Sequence, residues 1–119
     1  MDRKIYGINW FGTLDLIIAI NHDIVTDELL NQINSFWLDG AERLEDEDGD
    51  VLAAVLKMLG RRCWTLMIQH GYDVNQLICH FNDGEEGWPK MNGSSGFQII
   101  DCDELEFDTV DISVSEVVE

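Results

Sequence analysis

Residues 50–71 read DVLAAVLKMLGRRCWTLMIQHG, and this stretch holds the most regular pattern of the chain. From Val51 onward, apolar residues recur at positions 51, 52, 55, 56, 59, 63, 66 and 67, which form one stripe at the helical period. Asp50 suits an N-cap, and Gly71 suits the end of a helix. The stretch therefore predicts a long amphipathic helix that ends near His70.

The N-terminal part of the chain predicts a β-hairpin. Ile5–Phe11 and Thr13–Ile20 have the composition of strands, and Gly12 lies between them. Every second residue from Leu14 to Ile20 is Leu or Ile, which indicates that one side of this strand is buried.

A second helix is predicted after the hairpin. Thr26 suits an N-cap, and apolar residues follow at helical spacing as far as Trp37. Gly40 is the expected end of this helix. Residues 41–50, which are mostly acidic, are expected to form a connection.

Three further segments have strand-like patterns: Gln76–Phe81, Phe97–Ile100 and the alternating run Val110–Val114. Residues 82–96 contain four glycines and the only proline, and they predict a long loop. The expected fold is one α+β domain over residues 1–119, with an antiparallel sheet of four to five strands and two helices packed on one face. The acidic segment 101–119 is expected to be an edge strand or partly mobile.

The charge of the chain limits its partners. It carries 24 Asp and Glu against seven Lys and Arg, a net charge of −17. Nucleic acids and anionic membranes are polyanions and would repel it, so neither is an expected direct partner. With 45% hydrophobic residues the chain has enough apolar material for a core.

The N-terminus and the cysteines predict a cytoplasmic protein. No apolar segment follows Met1–Lys4, so no signal peptide is expected. The apolar run Leu16–Ile20 is far too short to span a bilayer. Cys63, Cys79 and Cys102 are widely spaced, which is typical of free thiols in a reducing compartment.

Two patterns resemble metal sites, but neither has the required ligand spacing. The acidic run at 46–50 resembles a calcium loop, but glycine falls at its fourth position and Lys57 at its twelfth, where an EF-hand needs Glu. The histidines at positions 22, 70 and 80 are far apart in sequence, so a metal triad is not expected.

No catalytic arrangement is predicted either. Cys63 lies on the apolar stripe of the long helix, where a thiol is usually an inert core residue. Carboxylates in an exposed glycine-rich loop, such as Glu85 and Glu86, keep near-normal pKa values and catalyse poorly. The sequence therefore predicts a protein that is not an enzyme and has no cofactor or metal.

The acidic residues form three blocks, at 39–50, 83–86 and 101–119. A solvated surface explains them, and so does mimicry of the nucleic-acid backbone, in which regularly spaced carboxylates occupy a cationic groove of another protein. Mimicry requires that the carboxylates share one ordered face. The expected partner is then a basic nucleic-acid-binding host protein, contacted through Asp46, Glu47, Asp48, Glu85, Glu86, Asp101, Asp103, Glu104, Glu106, Asp108 and Asp111.

An alternative is an interaction module or homodimer that binds through Trp88 and an apolar face of the sheet, with the acids serving solubility. Trp88 and Met91 in the long loop could anchor an interface, or they could pack back over the core. The sequence leaves both roles of Trp88 open.

Several motifs resemble a known family. Gly49–Arg62, Glu86–Ser94 and Asp101–Asp103 are similar to stretches in a family of small acidic proteins of unknown function from phages, prophages and plasmids. The resemblance implies a mobile-element setting and gives no catalytic residues to transfer. Small acidic phage proteins often block restriction enzymes or CRISPR complexes by occupying DNA-binding surfaces, so it also implies an anti-restriction or anti-CRISPR role.

Overall fold

The computed structural model describes residues 3–104 and 109–118. In chain order, the elements are β1 (Arg3–Trp10), β2 (Leu14–Asn21), α1 (Asp27–Phe36), α2 (Gly40–Asp46), α3 (Val51–His70), α4 (Val74–Gly84) and β3 (Phe97–Cys102), followed by a 3₁₀ turn at Thr109–Asp111. The predicted α+β class is confirmed. The predicted counts are wrong, because the described residues form three strands instead of four or five, and four helices instead of two.

The sheet is antiparallel, with β2 in the middle of the order β1-β2-β3. Alternation along β2 directs Leu16, Ile18 and Ile20 into the core, as the sequence predicted. The helices pack on this side: α3 contacts β1, and α4 contacts β3. The hairpin turn begins at Phe11, whose positive φ of 50° ends β1 one residue earlier than predicted.

The long helix α3 follows its predicted bounds and forms the centre of the core. Val55, Leu59 and Cys63 on its stripe are completely buried. Asp50 caps its first turn by accepting a hydrogen bond from the Ala53 amide at 3.1 Å. A Cβ at Gly60 would lie 3.0 Å from Ile8 Cγ2, so this glycine allows α3 to approach β1 closely.

The segment predicted as a third strand, Gln76–Phe81, is instead part of helix α4. Asp73 and Gln76 form a reciprocal capping box that starts the helix. Leu77 and Phe81, four residues apart, are both buried on one face. The short apolar run is compatible with a strand and with a helix. The capping box that precedes it favours the helix.

Two other predictions are also wrong. Gly40 begins α2 instead of ending α1, so the acidic connection at 41–50 is largely helical. The run Val110–Val114 forms no strand: it starts in the 3₁₀ turn, and residues 112–118 have no regular structure. None of the helices in the described ranges combines the length and apolarity that a membrane span needs.

Candidate partner-binding surface

Helix α2 concentrates carboxylates on a short exposed element. Glu42, Glu45 and Asp46 lie three and four residues apart, so they project from one side of the helix. All three are exposed and have no ion pair with any residue that the structure describes. Like charges at this spacing, and acids in the last turn of a helix, both disfavour helix formation.

Arg43 holds this unfavourable helix in place. Its Nε donates to Asn34 Oδ1 at 2.9 Å, and its terminal nitrogens donate to the carbonyls of Asn34 at 2.9 Å and Leu38 at 2.7 Å. These bonds attach α2 to the end of α1. The guanidinium thus bonds to neutral acceptors at the end of α1 and makes no ion pair with the described carboxylates around it.

The other acids of block 39–50 have different surroundings. Asp48 is exposed, like Asp39 at the start of α2. Glu47 is more enclosed and accepts a hydrogen bond from Lys57 Nζ at 2.8 Å. The sequence-based site included positions 46–48 but missed Asp39, Glu42 and Glu45. The i, i+3, i+4 spacing of Glu42, Glu45 and Asp46 has meaning only once the segment is known to be helical.

A groove of about 780 Å³ separates α2 from α3. One wall is acidic and the other basic, and two tryptophans lie between them. The groove is lined by residues that include Trp37, Asp39, Glu42, Asp46, Glu47, Lys57, Met58, Arg61, Arg62 and Trp88. The basic cluster of α3 therefore lies beside the acidic helix.

Glu85 is held by other side chains. Arg62 donates to its Oε1 from Nε at 2.9 Å and from a terminal nitrogen at 2.5 Å, and His80 Nε2 is 2.5 Å from its Oε2. The other ring nitrogen of His80 lies 3.1 Å from the Tyr72 hydroxyl. Burial raises the pKa of Glu85, but the hydrogen bonds from His80 and Arg62 outweigh it, so the pKa is lowered.

This network ties α3, α4 and the following turn together. The predicted partner-binding role of Glu85 stays a prediction. Within the structure, its carboxylate binds Arg62 and His80. Its neighbour Glu86 is exposed.

Trp88 packs into the protein. It is 9% exposed, and Met91 is completely buried. The Trp88 amide donates to the Glu85 carbonyl at 3.0 Å, which closes the turn that carries Gly87 against α1. Of the two roles that the sequence left open for Trp88, this arrangement matches the one in which it covers the core.

A second acidic region lies at the end of the sheet. Asp103 Oδ2 accepts a hydrogen bond from the Asp15 amide at 3.0 Å, and Asp101 lies opposite Ile17. The pKa of Cys102 is raised to about 12, first by burial and then by the charges of Asp103, Asp101 and Glu104. The structure thus brings these predicted carboxylates together around the end of β3.

Two groups of the predicted residues line different hollows. Asp46 and Glu47 line one together with Ala54 and Met58 of α3, whereas Glu104 lines another together with Trp64 of α3. Asp111 is exposed in the C-terminal segment, and Glu106 and Asp108 lie outside the described residues. The two hollows have no lining residue in common, and a shared partner-binding surface stays a prediction.

The histidines are closer in space than their sequence separation suggested. The rings of His70 and His80 are 5.9 Å apart, with Tyr72 packed against both. His22 lies elsewhere, 2.7 Å from the Tyr6 hydroxyl. In the described part of the chain, no three His, Cys, Asp or Glu side chains are grouped as metal ligands.

The cysteines are free, and two of them lie in the core. Cys63 and Cys102 are buried, and Cys79 is exposed. Burial raises the pKa of Cys63 well above its ordinary value, which keeps it a neutral thiol. Cys79 and His80 lie on a helix and not on the strand predicted for them.

Comparison with known proteins identifies relatives from phages. A family described as "Protein of unknown function (DUF2528)" matches residues 15–114. Protein ea10 of Escherichia phage lambda is 38% identical over 116 residues, covering 93% of this chain and 94% of the relative, and the values are the same for the lambda prophage-derived protein ea10 of Escherichia coli O6:H1. No solved structure matches the chain. The chain therefore belongs to the DUF2528 family, a family of unknown function with phage and prophage members, as its sequence motifs indicated.

Proposed function

We propose that this protein is a non-enzymatic acidic inhibitor that uses helix α2 to occupy a basic nucleic-acid-binding surface of a host protein in the bacterial cytoplasm. A defence complex of the restriction or CRISPR type is the expected target. The protein itself binds neither nucleic acid nor membrane in this proposal, and it uses no cofactor or metal.

The orientation of Arg43 carries the proposal. With this side chain bonded to α1, Asp39, Glu42, Glu45, Asp46 and Asp48 have no ion pair within the described ranges, and Lys57, Arg61 and Arg62 lie across the groove from them. Within the helix, Glu42, Glu45 and Asp46 span roughly 6 Å at ~1.5 Å per residue, an average rise of about 3 Å from one charge to the next. The corresponding spacing is ~3.4 Å along one DNA strand and ~1.7 Å along the duplex.

The energetic cost of α2 supports the same proposal. Repulsion between its carboxylates and an acidic last turn both destabilise the helix. The hydrogen bonds of Arg43 to Asn34 and Leu38 hold it in place. Solubility alone does not require carboxylates to be concentrated in this way. Binding in a cationic groove of a partner would relieve the repulsion between the carboxylates of α2, and the affinity would benefit because their positions are already fixed.

The strand-end region is not needed for this surface. Glu104 lines a different hollow from the acids of α2, Asp101 and Asp103 lie against β2, and the exposed C-terminal acids follow them in the chain. The binding surface that we propose is consequently smaller than the one expected from the sequence. Glu85 supports it indirectly, since it fixes Arg62 beside the groove.

The alternative, an apolar interaction module anchored by Trp88, has less support. Trp88 and Met91 are core residues here, so either would have to leave its packing to bind a partner. An exposed face of the sheet remains for such a role, and it is considered below.

A neutralised helix tests the proposal. The variant E42Q/E45Q/D46N removes three charges from α2, and D27N/E28Q/D83N removes three exposed charges elsewhere. We expect the first to weaken host-protein capture from an Escherichia coli lysate roughly tenfold and the second to have little effect. Equal losses in the two variants, or capture that survives high salt unchanged, would contradict the proposal.

A further inference from the structure

The two edges of the sheet differ. On β3, the Ile99 amide donates to the Met91 carbonyl at 3.2 Å, and the Gly93 amide donates to the Phe97 carbonyl at 2.8 Å, so the segment before β3 covers that edge. Within the described ranges, β1 pairs only with β2. The backbone groups on the outer side of β1 are therefore open to another strand.

The open edge is basic and partly apolar. Arg3 and Lys4 begin β1, and no acid occurs between residues 3 and 14 of this strongly acidic chain. Ile5 is 60% exposed on the outer face of the strand. A groove of about 310 Å³ runs beside Tyr6–Asn9 and is also lined by Leu52 and other residues at the start of α3. It could receive side chains of an added strand.

The C-terminal segment has the complementary properties. Residues 109–118 contain Asp111 and Glu116 and no base. Ile112 and Val114 alternate with serines, and Val114 is 95% exposed. This alternation is typical of a strand that is half buried, yet the segment has no regular structure in the single chain.

We propose that Ile112–Val118 of one molecule adds as a β-strand to the β1 edge of a second copy, and that the second copy returns the same contact. Backbone hydrogen bonds would supply much of the affinity. With the added strand antiparallel to β1, Ile112 and Val114 would face the groove beside α3, and Glu116 would meet Lys4 near the start of β1.

A second copy is the favoured occupant because one chain leaves both elements open. The segment follows β3, on the opposite side of β2 from β1. If each molecule adds its C-terminal segment to the β1 edge of the other, a two-fold axis relates the two contacts, and both β1 edges are paired. Such identical contacts are what an isologous dimer requires. β1 itself carries no acid, and the groove beside it is lined by Asp50 and Lys57, so two molecules of net charge −17 repel less here than through their acidic blocks.

Charge reversal on the two sides provides the test. The edge variant R3E/K4E has an acidic edge, and the tail variant D111K/E116K has a basic tail. Sedimentation equilibrium of the wild type should give twice the 13.6 kDa of one chain. Each variant alone should give a single chain, because its own edge and tail now repel.

Mixing the two variants distinguishes exchange between molecules from docking within one. The mixture should return to the mass of two chains, since each edge then finds a tail of opposite charge. The variant D27K/E28K, reversed to the same extent on α1, should remain a dimer, and thermal unfolding should show that all variants fold. A monomeric wild type, variants that stay dimeric, or a mixture that stays monomeric would overturn the proposal.

Discussion

The guanidinium of Arg62, in the middle of α3, donates two hydrogen bonds to one carboxylate oxygen of Glu85, which follows α4. The two residues are 23 positions apart, and the bonds join two helices that otherwise meet mainly through apolar contacts. His80 engages the other oxygen of Glu85. These bonds attach the turn between Glu85 and Trp88 to α3, beside the groove that separates α2 from α3.

Replacing Glu85 should test the importance of this link. Glu85→Gln leaves Arg62 and His80 without a charged acceptor, so we expect a loss of about 1–3 kcal/mol in the free energy of unfolding. Glu86→Gln, an exposed neighbour, should change it by less than about 0.5 kcal/mol. Urea denaturation measures both, and equal effects would show that the network adds no stability.

The same link predicts a pH dependence. The lowered pKa of Glu85 means that the folded state favours the charged form, through His80 and Arg62 and against the effect of burial. Its contribution is complete above the ordinary glutamate range and is lost as the pH falls through the lowered pKa. The stability difference between wild type and Glu85→Gln should therefore shrink under acidic conditions. A constant difference from neutral to acidic pH would contradict the assignment.

Gly87 permits the turn to lie against α1. It has a φ of +82°, and an added Cβ would lie 2.6 Å from Phe36 Cδ1 and 2.6 Å from Trp37 Cζ2. Gly49 is a matched control, with a φ of +85° and nothing within 4 Å of such a Cβ. Gly87→Ala should cost about 1–3 kcal/mol more than Gly49→Ala, because only the first adds a clash to the backbone strain. Thermal unfolding of both variants measures the difference.

Arg43 should matter through its shape as well as its charge. Arg43→Lys keeps the charge but cannot make the several directed bonds to Asn34 and Leu38, so we expect a loss of about 1–3 kcal/mol and faster amide exchange in α2. Arg61→Lys, at an exposed position without such bonds, should have little effect. Unchanged exchange in α2 would mean that Arg43 does not hold the helix.

The sequence predicted the elements in which periodicity and capping agree. β1, β2 and α3 lie within one or two residues of their expected bounds, and β2 and α3 have alternation or a helical stripe over their whole length. Helix α1 begins after Thr26 as expected but ends at Phe36, before the expected end at Gly40. The run at 76–81 was too short to separate the two periods. Helix α2 has no apolar stripe of its own and depends on Arg43 contacts that no local pattern reveals.

The candidate site was predicted only in outline. The acidic block at 39–50 was identified, but its helical geometry was not, so Glu42 and Glu45 were missed. The contact between Arg62 and Glu85 and the burial of Trp88 depend on tertiary packing between segments far apart in the chain. A single sequence does not carry that information.

Competition with DNA tests the central claim most directly. Immobilised wild-type protein would be loaded with nuclease-treated Escherichia coli lysate and eluted with a duplex oligonucleotide, with E42Q/E45Q/D46N in parallel. The account predicts that the duplex releases nucleic-acid-binding proteins from the wild type and that the variant captures far less of them. If the duplex releases nothing that buffer does not, or if the variant captures the same proteins equally well, α2 is not a nucleic-acid mimic.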